Sequence, residues 1–315
     1  MTEKRNYINS KHQARVEKTY KEMFERQTLQ YVLDTKQKYV IYPNLSLAIW
    51  TVIELLETIV DDSDPDSNSS QMLHATQTAI EILDKYFLPT SYELKTNIPV
   101  RSLFTSLEWA YLPPYIKKIY SVNFHELYSN ITDWGWFPLV GFIHDLGKIL
   151  VNKNFGGLKQ WSVVGDIFPV GCHFSSKNIF YYKKYHRKNP DYKKYNSSYG
   201  IYTHNCGFNN VQMSYGHDEY LASVLKINKT NLPPEAIYII RFHSFYAWHT
   251  PKNKNVRGYT HLASQYDWKM LPLLKAFQKA DLYSKKDGDS IDIQSLKDFF
   301  NPFISKYIGD KVMVW

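Results

Sequence analysis

The stretch FIHDLGK, residues 142–148, places a histidine and an aspartate side by side behind an apolar run. Phe137, Val140 and Gly141 precede His144 at helical spacing, so His144 is predicted to face the interior of the protein. An imidazole and a carboxylate are good ligands for a metal ion. Asp145 lies about 100° further around the helix, and it is still able to approach a shared point if two ions lie side by side along the helix. The pair is therefore a candidate metal site.

Further residues with the same chemistry lie on apolar stripes of other predicted helices: His74, His217, His243 and Asp281. Taken singly, a buried histidine is usually a core residue that hydrogen bonds to the backbone, and the aspartate could cap a helix or pair with a lysine. Together, four histidines and two aspartates suffice for two metal ions that share one carboxylate. Helical bundles build dinuclear sites in this way. A cluster without thiolate suits iron, manganese or zinc.

Most of the chain has the periodicity of amphipathic helices, which must bring these residues together. Helices are predicted over 12–36 and 45–60, from Gln71 onward, and over 133–151, 209–227, 231–245 and 266–285. Residues 157–172 are rich in glycine and β-branched residues and predict a short β-hairpin or an extended loop. We therefore expect an all-α fold, a helical bundle around a dinuclear metal site.

Residues 85–130 do not fit this pattern, because they are rich in aromatic residues and broken by prolines. They are interpreted as an irregular insertion that packs on the outside of the core. No internal repeat accompanies them. The expectation is a single domain over residues 1–315, with a helical core at about 45–290.

The composition, 44% hydrophobic and 22% charged residues in 315, is that of an ordinary globular protein. Neither an apolar leader nor a run of about 20 apolar residues is present, so we expect a cytoplasmic protein with no membrane contact. Two cysteines, Cys172 and Cys206, are too few for a disulfide scaffold and are expected to be reduced thiols.

The net charge of +8 is concentrated partly in YYKKYHRKNPDYKKY, residues 181–195. Lysines interleaved with tyrosines can bind nucleic acid through phosphates and stacking. No sequence signature of a nucleic-acid-binding fold accompanies the tract, and a solvated surface loop is the preferred interpretation. We expect no nucleic-acid partner, and we expect a monomer.

The acidic turn DDSDPDSNSSQML, residues 61–73, precedes and flanks His74. As a calcium loop it fails, because the glycine at position 6 and the glutamate at position 12 are missing. A solvated loop and a role in binding a polar ligand both remain open.

In order along the chain, His74, the pair His144-Asp145 and Asp281 resemble the H…HD…D pattern of the HD-domain superfamily, which is all-helical. A closer resemblance is to the myo-inositol oxygenases. It is carried by RNY, VDDSDPD, LVGFIHDLGK, WSVVGDIFPVGC, MSYGHDEY, LPPEAIYIIRFHSFYAWHT and DLYSK. These motifs cover nearly the whole chain except residues 85–130. The resemblance implies an HD-domain-like helical bundle.

The resemblance also implies roles for individual residues. The iron ligands would be His74, His144, Asp145, His217, His243 and Asp281, with Asp145 bridging two iron ions in a mixed-valent Fe(II)/Fe(III) pair. The residues in contact with myo-inositol would be Arg5, Tyr20, Asp61, Ser63, Asp64, Lys148, Gly165, Asp166, His243, Ser244 and Lys285, and Lys148 and Asp145 would act in catalysis. The implied reaction opens the myo-inositol ring with O2 as co-substrate and gives D-glucuronate, the first step of inositol catabolism.

The main alternative is a metal-dependent phosphohydrolase of the HD superfamily that acts on a nucleotide or another phosphate ester. His217 and His243 argue against it, because they provide for a second metal ion. Asp61 and Asp64 also argue against it, because they would repel a phosphate. A non-catalytic binding protein that uses the basic tract 181–195 is a further alternative.

Overall fold

The computed structural model describes residues 7, 10–41, 45–66, 68–89, 93–250, 256–283, 292–310 and 312–315. In these residues the helices are α1 (Gln13–Arg26), α2 (Leu29–Lys36), α3 (Ile49–Leu55), α4 (Gln71–Tyr86), α5 (Ser106–Ala110), α6 (Pro114–Ile119), α7 (Phe124–Leu127), α8 (Trp136–Ile143), α9 (His217–Ile227), α10 (Pro234–Phe242), α11 (Tyr246–His249), α12 (Gln265–Tyr283) and α13 (Ile293–Tyr307). The strands β1 (Ser46–Leu47) and β2 (Met313–Val314) pair antiparallel. The prediction of an all-α class is confirmed.

Helix α4 packs against both α8 and α12. Helix α4 begins where the sequence predicted, because the Ser70 side chain caps it by accepting a hydrogen bond from the Leu73 backbone N–H at 3.3 Å. A Cβ atom on Gly141 would lie 2.8 Å from Ile82 Cδ1 and 3.0 Å from Ala79 Cα. The absence of a side chain at Gly141 therefore lets α8 approach α4 closely.

The helix predicted over 12–36 is broken into α1 and α2. Gln27, which is buried between them, exchanges two hydrogen bonds with the backbone of Tyr215, at 2.7 Å and 3.0 Å. Thr28 then caps α2 by accepting a hydrogen bond from the Tyr31 backbone N–H. The break is set by a partner almost two hundred residues away, which helical periodicity does not reveal.

The helix predicted over 133–151 is also shorter, since α8 ends at Ile143. His144 occupies the C-cap, Asp145 has φ −95° and ψ 2°, and a 3₁₀ helix, Leu146–Val151, follows. Similarly, the helix predicted over 209–227 begins only at His217. Both His-Asp pairs thus lie at helix ends, where backbone direction changes and adjacent side chains are able to point to one region.

Residues 157–172 form an extended loop with one 3₁₀ turn, Gln160–Ser162, and not a β-hairpin. The loop is fixed by backbone bonds to distant residues: Ile167 N–H donates to Ser244 O at 3.1 Å, and Phe168 O accepts from Ser214 N–H at 2.7 Å. It therefore lies beside the chain that leads into α9 and the chain that follows α10.

Residues 85–130 contain α5, α6 and α7 and bury several aromatic side chains. They attach to α12, because the Tyr120 hydroxyl donates to Trp268 O and the Tyr128 hydroxyl donates to Lys269 O at 2.7 Å. The segment is more ordered than the irregular insertion that the sequence suggested.

The basic tract 181–195 folds against α1. Lys183 pairs with Glu17 at 3.0 Å, the Tyr185 hydroxyl donates to Glu17, and Lys188 lies 3.6 Å from Glu25. Part of its positive charge is therefore neutralised within the chain. Among the described residues, no helix combines the length and the apolar character needed to cross a membrane.

Candidate metal and substrate site

The six side chains predicted to bind metal meet in one buried region: His74, His144, Asp145, His217, His243 and Asp281. Their ligand atoms include two groups. His74, His144 and Asp145 form the first, and Asp145, His217 and His243 form the second. Within each group the ligand atoms lie within 4.8 Å of one another. Asp145 belongs to both.

The two oxygens of Asp145 face different groups. Its Oδ2 lies 3.3 Å from His144 Nε2 and 3.7 Å from His74 Nε2. Its Oδ1 lies 3.2 Å from His217 Nε2 and 3.6 Å from His243 Nε2. A carboxylate in this position is able to bridge two cations.

Asp281, near the end of α12, completes the first group. Its Oδ1 lies 2.9 Å from His74 Nε2 and 3.8 Å from His144 Nε2. The Tyr246 hydroxyl lies 3.4 Å from the other oxygen, Oδ2. The helix prediction that placed Asp281 on the inner face of α12 is therefore consistent with where the side chain lies.

Hydrogen bonds to backbone carbonyls orient three of the four imidazole rings. His144 Nδ1 lies 2.8 Å from Gly141 O, His217 Nδ1 lies 2.7 Å from Val163 O, and His243 Nδ1 lies 2.9 Å from Ile240 O. Because a carbonyl only accepts, each Nδ1 must carry the proton. In the neutral ring each Nε2 then presents a lone pair toward the cluster, as metal-binding histidines do.

The donor set fits a metal ion on two further observations. Asp145 Oδ1 is buried and has no hydrogen-bond partner among the described residues. The Nε2 atoms of His217 and His243 lie only 3.1 Å apart. Two lone pairs and a carboxylate oxygen that face one point repel one another unless a cation or a proton lies between them.

The electrostatics of the cluster differ between its rings: burial lowers the pKa of His144, whereas positive charge is favoured at His243. Burial disfavours the charged imidazolium, but the carboxylates of Asp218 and Asp145 outweigh it and raise the pKa of His243 to about 10. Burial opposes ionisation of Asp145 as well, yet His144 and Lys148 hold its pKa well below the usual range. The site therefore attracts a cation to the histidines while its carboxylate remains ionised.

Asp218 was missed in the sequence analysis. Its Oδ1 lies 3.0 Å from His243 Nδ1 and its Oδ2 lies 3.4 Å from His217 Nδ1, so one fully buried carboxylate places negative charge beside two rings. Carboxylates behind metal-binding histidines fix the tautomer and raise ligand basicity. A signal was present, because Asp218 follows His217 as Asp145 follows His144.

Lys148 lies between the metal candidates and the acidic turn. Its Nζ donates to Asp61 Oδ2 at 2.7 Å, to Asp145 Oδ2 at 2.9 Å and to Gln71 Oε1 at 2.6 Å. Burial would lower the pKa of Lys148, but Asp145 and Asp61 raise it above its ordinary value. Asp61 in turn accepts hydrogen bonds from the backbone and the hydroxyl of Ser63.

The residues predicted to contact substrate line the same cavity as the metal candidates: Tyr20, Asp61, Ser63, Asp64, Lys148, Gly165, Asp166, His243 and Ser244. The Tyr20 hydroxyl donates to Asp166 Oδ1 at 2.6 Å and so links α1 to the loop 157–172. Arg5 and Lys285 lie outside the described residues.

Three cavity residues were not anticipated: Tyr7, Pro65 and Tyr246. Each stands within a stretch that was already singled out, in RNY, in the acidic turn and in the stretch after α10. Among the described residues that line this cavity, none belongs to 85–130. The described residues of the predicted insertion therefore do not line the pocket.

Comparison with known proteins gives a consistent assignment. A sequence model of the family described as Myo-inositol oxygenase matches residues 13–98 and 118–315. An inositol oxygenase of Dictyostelium discoideum is 41% identical over 311 residues, which cover 98% of this chain and 88% of the relative.

An inositol oxygenase of Homo sapiens is 36% identical over 305 residues, which cover 96% of this chain and 88% of the relative. A probable inositol oxygenase of Oryza sativa subsp. japonica is 37% identical over 311 residues, which cover 98% of this chain and 84% of the relative. The similarity thus extends over nearly the full length of this chain and over most of each relative. By these matches, the chain belongs to the myo-inositol oxygenase family.

Proposed function

We propose that this protein is a di-iron oxygenase that opens the ring of myo-inositol with O2 and gives D-glucuronate and water. The proposal is supported above all by Asp145, whose two oxygens face two separate pairs of histidines. Membership of the family and the names of its relatives support the same reaction.

In this proposal, iron would be held by His74, His144 and Asp281 on one side of Asp145 and by His217 and His243 on the other, with Asp145 available to both groups. The donor set of imidazoles and carboxylates suits iron. When bound, the iron pair supplies the Lewis acidity and the redox chemistry of the reaction. The protein supplies position, charge and exclusion of water.

The polar wall of the cavity would bind the substrate through its hydroxyl groups. A polyol offers little apolar surface, so its binding energy must come from hydrogen bonds to the acidic turn and to the Tyr20–Asp166 pair. The ammonium group of Lys148, which remains protonated, lies in the cavity wall, where its positive charge would stabilise the carboxylate of the product.

The phosphohydrolase alternative is not favoured. A phosphate ester would meet the carboxylates of Asp61, Asp64 and Asp166 along the cavity wall. Like charges at such a site repel unless cations separate them.

The reaction is tested by incubating iron-loaded protein with myo-inositol in air. We expect glucuronate to form in equal amount to the O2 consumed, and protein stripped of metal by a chelator to form none. An inositol analogue that lacks one of the bound hydroxyls should react on the order of 10⁴-fold less efficiently, because a buried polar partner is left unpaired. Release of phosphate from nucleotides, without uptake of O2, would contradict the proposal.

A further inference from the structure

A second cluster of buried charges lies away from the metal candidates, at the contact between α5 and α12. The Nζ atom of Lys275, in α12, lies 2.6 Å from Oε1 of Glu108, in α5. Nη2 of Arg257 lies 3.5 Å from the same oxygen. All three side chains are buried. The Glu108 carboxylate is thus the ion-pair partner of two buried cations.

Glu108 is held rigidly for this role. Its Oε2 accepts a hydrogen bond from the Thr105 backbone N–H at 2.9 Å, while the Thr105 hydroxyl accepts one from the Glu108 backbone N–H at 3.1 Å. This capping box fixes the first turn of α5. The ring of Phe104 lies 5.3 Å from Lys275 Nζ and 5.6 Å from the guanidinium carbon of Arg257.

The two cations depend on that carboxylate. Burial lowers the pKa of Lys275 to about 8, with Arg257 acting in the same direction and Glu108 opposing both. Burial would raise the pKa of Glu108, but Lys275 and Arg257 hold it below its usual value. Removing one partner of a buried ion pair is costly, because the remaining charge is left without compensation.

The cluster is connected to the metal candidates through α11. Nη1 of Arg257 donates to the backbone carbonyls of Trp248 and His249, each at 2.8 Å. Lys275 Nζ lies 3.3 Å from His249 O as well. The ring of His249 then donates from Nε2 to the backbone carbonyl of His243 at 2.7 Å. The cations therefore hold α11, and α11 holds the backbone of a candidate iron ligand.

We propose that Glu108 is a positioning residue that fixes the backbone of His243 through Lys275, Arg257 and His249. Glu108 lies in residues 99–117, which the family model does not match. This part of the insertion thus acquires a function: it supplies the charge that lets α11 pack on α12. The assignment of His243 as a metal ligand rests on the proposed function, whereas the effect on α11 does not.

The test compares Glu108→Gln with Glu126→Gln, which changes an exposed glutamate of the same insertion. Hydrogen exchange measured by mass spectrometry on peptides that cover 243–249 reports the local effect. We expect exchange there to rise roughly tenfold in Glu108→Gln, and the affinity for iron to fall roughly tenfold. Peptides from α1 should not change, and Glu126→Gln should match the parent in both measurements.

A rescue variant separates positioning from a general loss of structure. In Glu108→Gln combined with Lys275→Met, one uncompensated cation is removed, and both exchange at 243–249 and iron affinity should return to within about threefold of the parent. Where Glu108→Gln alone does not fold, this double variant must fold and retain iron. Failure of the double variant, or a Glu108→Gln protein with parental exchange at 243–249, overturns the inference.

The two proposals fail differently. A parent protein that holds iron but forms no glucuronate contradicts the proposed function, while the exchange result at 243–249 still decides the role of Glu108. Conversely, a parental exchange pattern in Glu108→Gln contradicts the positioning role in a protein that remains an active oxygenase.

Discussion

At the scale of single residues, the candidate site is defined by where individual nitrogen and oxygen atoms point. Backbone carbonyls take the Nδ1 protons of His144, His217 and His243, and the Nε2 atoms remain directed at Asp145. Each neutral ring therefore presents its Nε2 lone pair to the same region before any substrate arrives. Such preorganisation means that the loss of one ring is not compensated by its neighbours.

Substitution of His217 tests this. His217→Ala removes one of the two rings that face Asp145 Oδ1, so bound iron should fall from about two ions per chain to about one, and the rate of glucuronate formation should fall by roughly 100-fold or more. Metal analysis measures the loss of iron, and circular dichroism measures how much helix is retained.

His186→Phe is a matched control, because His186 is also a buried histidine but stacks against both Phe174 and Tyr181, with its ring centroid 4.7 Å from each of theirs. Phenylalanine preserves the stack, and iron content should be unchanged. Two bound ions and full turnover in His217→Ala would show that the ligand assignment is wrong.

At the scale of elements, the site depends on a close approach between the 3₁₀ helix 146–151 and the start of α9. A Cβ atom on Gly147 would lie 2.1 Å from the His217 carbonyl oxygen and 2.8 Å from its Cα. These are backbone atoms, which cannot rotate away. The spacing between the two His-Asp pairs is thus set by a residue with no side chain.

Gly147→Ala should therefore separate the two segments. We expect a loss of about 1–3 kcal/mol in the free energy of unfolding, as for other overpacked positions, together with weaker iron binding. Urea unfolding and metal analysis measure the two effects.

Gly157→Ala provides the comparison, since a Cβ atom there would meet nothing closer than 3.7 Å, at a φ of +61°. It should cost about 1 kcal/mol through backbone strain alone and leave iron binding intact. Equal iron binding in the two variants would contradict the argument.

The sequence predicts the ends of helices correctly where residues next to the helix determine them. It fails where contacts with distant residues determine them. The start of α4 follows from Ser70, a cap that lies next to the helix. The break at Gln27 follows from Tyr215, which no local pattern reveals. The end of α8 at Ile143 was hidden by an apolar run that continues beyond it.

The same distinction applies to the site. Helical spacing predicts the inward-facing histidines, and the resemblance to the myo-inositol oxygenases predicts the polar residues of the cavity wall. Asp218 could not be read in the same way, because its role depends on His243 facing it from another helix. Distances between helices, such as the one set by Gly147, are a property of packing and not of periodicity.

At the scale of the whole molecule, buried ion pairs join helices that are far apart in the sequence. Glu219 of α9 binds Lys36 of α2 at 2.7 Å and Arg241 of α10 at 2.6 Å. Burial would raise the pKa of Glu219, but Arg241 and Lys36 outweigh it and lower the pKa below 4.5. The stabilisation is therefore fully present above the pKa of an unfolded glutamate and is lost as the pH falls through the folded value.

Glu219→Gln should accordingly lose about 3 kcal/mol of unfolding free energy near pH ~7, because the buried Arg241 and the half-buried Lys36 lose their partner. The difference between parent and variant should shrink once the pH falls below about 4.5. Urea unfolding at a series of pH values measures it, with Glu126→Gln as a surface control expected to stay within about 0.5 kcal/mol of the parent. A difference that stays constant or grows in acid would contradict this account.

Asp145 also sets a limit on how the protein can be redesigned. Because its carboxylate is common to both halves of the cluster, any engineer who wants a mononuclear centre must leave it in place and delete a pair of rings instead. Removing His217 and His243 keeps an HD-type set of four donors, whereas changing Asp145 dismantles both halves at once. The cluster therefore tolerates the removal of one pair of histidines better than the removal of the aspartate that both groups share.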